Sequence, residues 1–100
     1  MANSADVIIR NIKQYMDKWD WPYSSWYVGI TKDAENRLFN DHKVDRDNGA
    51  WIYDTASSAN VARDIEDYFL NQLGTDGKGG GGDEESKIVY AYKKTKNTKP

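Results

Sequence analysis

Tyr27, Gly29, Arg37 and His42 crowd into one short stretch, Trp26-Tyr27-Val28-Gly29-Ile30-Thr31 and the run that follows it through Arg37 to His42. Tyr and His can move protons, Arg can grip a phosphate or carboxylate through paired N–H groups, and Gly lets a ligand approach the backbone. His42 is the only histidine in the chain. Residue types of this kind, so close together, suit proton transfer beside an anion.

The elements that must position them follow from the hydrophobic pattern. Trp26, Val28 and Ile30 alternate with Tyr27, Gly29 and Thr31, which predicts a strand with one apolar face and one small or functional face. Thr31 or Asp33 can cap a helix from about 34 to 42, with Leu38 and Phe39 turned to the core and Arg37 and Asp41 on one face. Ahead of the strand, residues 4–18 read as a helix within an N-terminal segment ending near residue 20. Ser4 is its N-cap candidate, and Val7 or Ile8, Ile12, Tyr15 or Met16 and Trp19 form its apolar face. Asp20-Trp21-Pro22 breaks that helix. Residues 43–49 are a polar loop, 50–56 a second strand, and Val61 to Leu73 a helix capped from Ser57-Ser58 and stopped by Gly74.

Residues 74–86 are rich in glycine but lack the Gly-Lys-Ser/Thr ending of a phosphate-binding P-loop, so they read as a flexible connector, with a glycine-lined cleft edge as the rarer use. Lys87 to Lys93 is the last strand, with Ile88, Tyr90 and Tyr92 on one face and Val89 and Ala91 on the other. The tail 94–100 is basic and expected to fray as a solubilising end, though it could contact phosphates. The order helix, strand, helix, strand, helix, strand predicts an α+β domain: a small, mainly antiparallel three-stranded sheet flanked by helices.

Composition narrows the function. One hundred residues make a single domain, 1–100, with one modest core. A formal net charge of -2 provides no global field for indiscriminate nucleic-acid binding. The chain has no cysteine, which excludes disulfides and thiolate metal sites and is compatible with a reducing cytoplasm. Met1 to Asp6 lacks the regions of a signal peptide, and no apolar run is long enough to span a membrane. Nothing in the pattern specifies an oligomeric state. Four Trp and seven Tyr suit both a small core and a binding surface.

Taken together these residues resemble the GIY-YIG nuclease superfamily over roughly 26–73. Tyr27-Val28-Gly29 stands where that family has its Tyr-Ile-Gly strand. Arg37 is similar in placement to the catalytic arginine. His42 resembles the Tyr or His that follows it, at a spacing of five residues where four is commoner. Glu66, in Ala62-Arg63-Asp64-Ile65-Glu66-Asp67-Tyr68-Phe69-Leu70, resembles the metal-binding glutamate. The family's first strand is missing ahead of Tyr27. Ile88-Val89-Tyr90-Ala91-Tyr92 has the character to fill that place, as in a circular permutation, with Tyr90 (or Tyr92) as the other tyrosine.

The resemblance implies hydrolysis of a phosphodiester in DNA or RNA with one Mg²⁺ or Mn²⁺ held by Glu66. Arg37 would neutralise the phosphoryl oxygens, Tyr27 would activate or position water, and Tyr90 or His42 would assist the proton traffic. Gly29 would admit the substrate backbone. Each residue also has a plain use. Tyr27 can cover the sheet, Gly29 can relieve crowding, and Arg37 can pair with Asp33 or Asp41. His42 can be a surface or capping residue, and Glu66 an exposed helical charge. The competing functions are a catalytically silent module or inhibitor on the same scaffold, binding nucleic acid or a protein partner through Trp21, Tyr23, Trp26, Trp51 and Tyr53, and a structural domain with no site.

Overall fold

A computed structural model describes residues 4–79 and 84–100. The middle of the glycine-rich stretch, 80–83, and residues 1–3 lie outside the described residues.

Helix α1 spans Ala5–Asp17, and the Ser4 hydroxyl accepts from the Val7 N–H at its start. Its Ile8, Ile12 and Met16, spaced by four, are fully buried. Trp19 does not extend that face, because the helix has ended and the indole is 40% exposed. Strand β1 is Trp26–Thr31 and strand β2 is Trp51–Thr55. Helix α2 is Ala59–Tyr68, with the Ser58 hydroxyl accepting from the Val61 N–H at 3.1 Å. It runs on as a wide π turn, Phe69–Leu73, and stops at Gly74, whose φ of 77° suits a residue with no Cβ. Strand β3 is Ile88–Lys93.

Among the described residues the strands form one antiparallel sheet of order β1-β3-β2, the α+β arrangement expected. The last strand is central, so both neighbours hydrogen-bond to it. Helices α1 and α2 cover one face of the sheet. There Trp26, Val28, Ile30, Val89 and Ala91 pack with Ile8, Ile12, Met16, Ala62, Ile65 and Phe69. Trp26 is completely buried in this layer, so it is not part of an exposed aromatic surface. Burying each such side chain contributes roughly 1.5–3 kcal/mol.

The register sets out the other face in rows. Tyr27, Tyr92 and Trp51 lie side by side, and Gly29, Tyr90 and Tyr53 form the next row. Leu38, Val44 and the edge of Phe39 cover the first row, with Tyr27 and Tyr92 stacked at 5.3 Å between centroids. The segment that carries Leu38 is the helix expected from about residue 34, wound wider than an α-helix over most of its length. It is a π-helical turn, Asn36–Asp41, started by the Asp33 carboxylate accepting from the Asn36 N–H.

Candidate functional site

A cleft of about 250 Å³ opens beside β1, lined by Tyr27, Gly29, Arg37, His42, Glu66 and Tyr90 among others. These six residues come from four separate segments. Tyr27 and Gly29 are on the strand face away from the helices, Tyr90 is opposite Gly29 on β3, Arg37 and His42 flank the π turn, and Glu66 reaches in from α2.

The π turn accounts for the spacing of Arg37 and His42. The His42 N–H donates to the Arg37 carbonyl at 2.9 Å, a bond across five residues. An α-helix returns to the same face after about 3.6 residues, so a five-residue interval would turn His42 away from Arg37. The wider turn absorbs the extra residue and brings both to one cleft; π turns of this kind recur at functional sites.

His42 is buried and not a surface residue, and it caps the C-terminal end of the π turn. Its Nε2 lies 2.7 Å from the Tyr90 hydroxyl, its Nδ1 2.7 Å from the Lys99 carbonyl oxygen and 3.1 Å from the Tyr92 hydroxyl. Burial holds its pKa below the ordinary value. The Arg37 and Lys78 charges push the same way, against the Lys99 carbonyl and Asp41. Burial also raises the phenols of Tyr27, Tyr90 and Tyr92, so they are neutral at pH 7. In Tyr27 the nearby Asp76 adds to that rise, while Arg37 and a hydroxyl contact with Tyr90 oppose it.

The space at Gly29, expected to admit a substrate backbone, is taken from within. A Cβ there would stand 2.5 Å from the Tyr90 Oη and 2.7 Å from its Cζ. The missing side chain lets the Tyr90 ring lie across β1 and reach His42.

Arg37 forms an ion pair with Asp41 at 3.5 Å, with both side chains about half exposed. A pair so open to water contributes a few tenths of a kcal/mol at most, on the order of 0.3–0.5. Little therefore holds the guanidinium back from an anion. Arg37 and Asp41 also line a second hollow with Thr31, Lys32, Asn36 and Ser86, so Arg37 stands between two concavities.

Glu66 is 3% exposed and is not an ordinary helical surface charge. Its Oε1 is buried without a hydrogen-bond partner, and desolvation raises its pKa to about 7, with Asp67 adding and Arg63 opposing. A carboxylate buried in this way is costly to keep charged without a direct partner. A divalent cation fits that need. Among the described residues no three His, Cys, Asp or Glu side chains converge, so Glu66 would hold such an ion with water completing its shell, as Mg²⁺ permits.

Two groups at the site had entered the sequence reading only as the rarer of two uses. Asp76 bridges the outer edge of β1: the Val28 N–H donates to the Asp76 carbonyl at 2.9 Å, and the Asp76 N–H to the Trp26 carbonyl at 2.8 Å. A Cβ at Gly77 would meet the Val28 carbonyl oxygen at 2.5 Å. This part of the glycine-rich stretch is therefore tied to β1 by an isolated bridge and forms the cleft edge that was the rarer of its two expected uses, carrying Lys78 and Gly79 into the cleft wall. A single lysine among glycines was the available signal. The tail is the second group. It is not frayed: the Lys99 N–H donates to the His42 carbonyl at 2.7 Å, and Lys99 and Pro100 line the cleft. Its basic composition allowed a contact with phosphates, but the expected use was a solubilising end.

Comparison with protein-family models, curated proteins and solved structures found no match. Among the described residues no helix is long and apolar enough to cross a membrane.

Proposed function

We propose that this protein hydrolyses phosphodiester bonds in DNA or RNA as a divalent-metal-dependent endonuclease, with a site resembling that of the GIY-YIG nucleases in permuted order. The observation that carries the reading is convergence: Tyr27, Arg37, His42, Glu66 and Tyr90, distant in sequence, line one cleft. The antiparallel pairing of Tyr90 with Gly29 agrees with a permuted strand supplying the second tyrosine.

Glu66 would hold Mg²⁺ or Mn²⁺, which when bound polarises a phosphate oxygen and stabilises the leaving group. Arg37, with Lys78 beside it, neutralises charge growing on the phosphoryl oxygens. Tyr27, a neutral phenol facing the cleft, orients water for attack. Tyr90 and His42, in hydrogen-bond contact at 2.7 Å, carry protons away from it. The hollow beyond Arg37 would take the neighbouring part of a polymer. We assign the reaction to the cytoplasm, on the absence of cysteine.

A second reading has its own observation. Trp19 and Trp21 stack at 4.9 Å and are 40% and 41% exposed, with the Lys93 ammonium 4.9 Å from the Trp21 ring. Such a shelf suits base stacking or a protein partner in a catalytically silent module or inhibitor.

The test is cleavage of branched DNA, single strands and structured RNA with Mg²⁺ or Mn²⁺, comparing the native chain with Glu66→Gln, Arg37→Ala and Lys78→Ala. Metal-dependent cutting lost in the first two and reduced about tenfold or more in the third supports the nuclease. No cutting by the native chain, or cutting that survives in all three variants, overturns it in favour of the binding module.

A further inference from the structure

The tail that closes over His42 makes two bonds to one residue. The Lys99 N–H donates to the His42 carbonyl, and the Lys99 carbonyl meets Nδ1, both at 2.7 Å. The approach to His42 is itself braced. The Thr95 N–H donates to the Thr98 hydroxyl at 2.9 Å, that hydroxyl donates back to the Thr95 carbonyl at 3.0 Å, and the Lys94 N–H donates to the Ser25 carbonyl at 2.8 Å.

A carbonyl oxygen only accepts hydrogen bonds. A ring nitrogen 2.7 Å from it must carry the proton, since two lone pairs at that distance repel. The rival arrangement would have the Tyr92 hydroxyl donate to a bare Nδ1, but that contact is longer, 3.1 Å, and leaves the carbonyl facing a lone pair. With the proton on Nδ1, the Nε2 of neutral His42 is bare. The hydroxyl 2.7 Å away, on Tyr90, must then donate to it.

We propose that the Lys99 carbonyl is a positioning group of the site: it holds His42 as the Nδ1–H tautomer and thereby turns the Tyr90 proton away from the cleft onto Nε2. The Tyr90 oxygen is left to accept from the cleft side, where the Tyr27 hydroxyl contacts it. In the rival tautomer Nε2–H would donate to Tyr90, and the phenol proton would point outward. The use of this polarity rests on the hydrolytic reading. A proton leaving water for the Tyr90 oxygen is matched by the phenol's own proton passing to Nε2. The imidazolium so formed keeps its second N–H on the Lys99 carbonyl. The tautomer itself rests on the contacts alone.

Because His42 is the only histidine, its two ring-nitrogen signals in ¹⁵N-labelled full-length protein are unambiguous. At pH 7.5 without substrate, the native chain is expected to show a protonated Nδ1 and a bare Nε2. Tyr90→Phe should keep that tautomer, since the carbonyl and not the phenol selects it. Lys99→Pro combined with Thr98→Ala removes the N–H clasp and the turn's hydroxyl brace, so Nδ1 is released to the Tyr92 hydroxyl and the Nε2–H tautomer should rise to half or more of the population. A native chain in the Nε2–H form, or as an even mixture, overturns the proposal. So does a doubly substituted chain that folds with the Nδ1–H form unchanged. If the double variant fails to fold, the native and Tyr90→Phe spectra decide. None of these readouts requires cleavage, so a failed nuclease reading and a failed tautomer assignment are separable.

Discussion

Replacing Glu66 by Gln isolates the cost of burying one carboxylate. The side chain is 3% exposed, one oxygen has no partner, and its pKa rises from an ordinary 4.5 to about 7. At roughly 1.4 kcal/mol for each tenfold in proton affinity, that rise corresponds to about 3 kcal/mol between the neutral and charged forms. The sign follows from proton counts. Between pH 4.5 and 7 the folded chain holds a proton that the unfolded chain has lost, so stability falls as pH rises. The contribution is fully present below about pH 4.5 and lost above about pH 7.

A glutamine in this place would have the same shape and no charge. Its buried amide imposes its own cost, but one that does not vary with pH, so the informative quantity is the change in the difference between the two proteins. In metal-free buffer the melting temperature of Glu66→Gln, relative to the native chain, should rise by roughly 12–24 °C from pH 4 to pH 8, at roughly 4–8 °C per kcal/mol for a domain of this length. Added Mg²⁺ should then stabilise the native chain at pH 8 and leave Glu66→Gln unmoved. Two melting curves that stay parallel across this range would refute the reasoning about Glu66, and with it the case for a cation there.

Gly29→Ala should destabilise by about 1–3 kcal/mol in denaturant unfolding, because the added methyl overlaps a buried Tyr90 ring tied to His42. The same variant should alter the His42 ring-nitrogen signals; an unshifted spectrum with unchanged stability would mean that Tyr90 moves freely. Ser58→Ala removes the oxygen that caps α2 and should cost about 1 kcal/mol while leaving the cleft intact, measurable as a lower urea midpoint at unchanged slope.

Local chemistry made much of this protein legible in its sequence. Ser4 and Ser58 ahead of apolar residues at helical spacing mark the starts of α1 and α2, and alternation marks which faces of β1 and β3 meet the helices. These signals lie within a few residues of what they specify, so one strand or turn of chain suffices to read them. The candidate residues Tyr27, Arg37, His42, Glu66 and Tyr90 were also visible as residue types in suitable elements. The five-residue interval from Arg37 to His42 was visible too, but the π turn that makes it productive was not, because a widened turn depends on what packs against it.

Only the tertiary structure decided the rest. The reason for a glycine at position 29 is a tyrosine far along the chain, at position 90, brought opposite it by sheet register. Lys78 reaches the cleft because Asp76 bridges the free edge of β1, a contact set by backbone groups and not by composition. The tail looked like a solvated end because its side chains are basic, yet it is held by its backbone, whose donors and acceptors are the same at every residue except proline. The sequence determined which side chains could do chemistry. The fold determined that Glu66 would be buried with one oxygen unpartnered, and that His42 would sit between a phenol and a carbonyl.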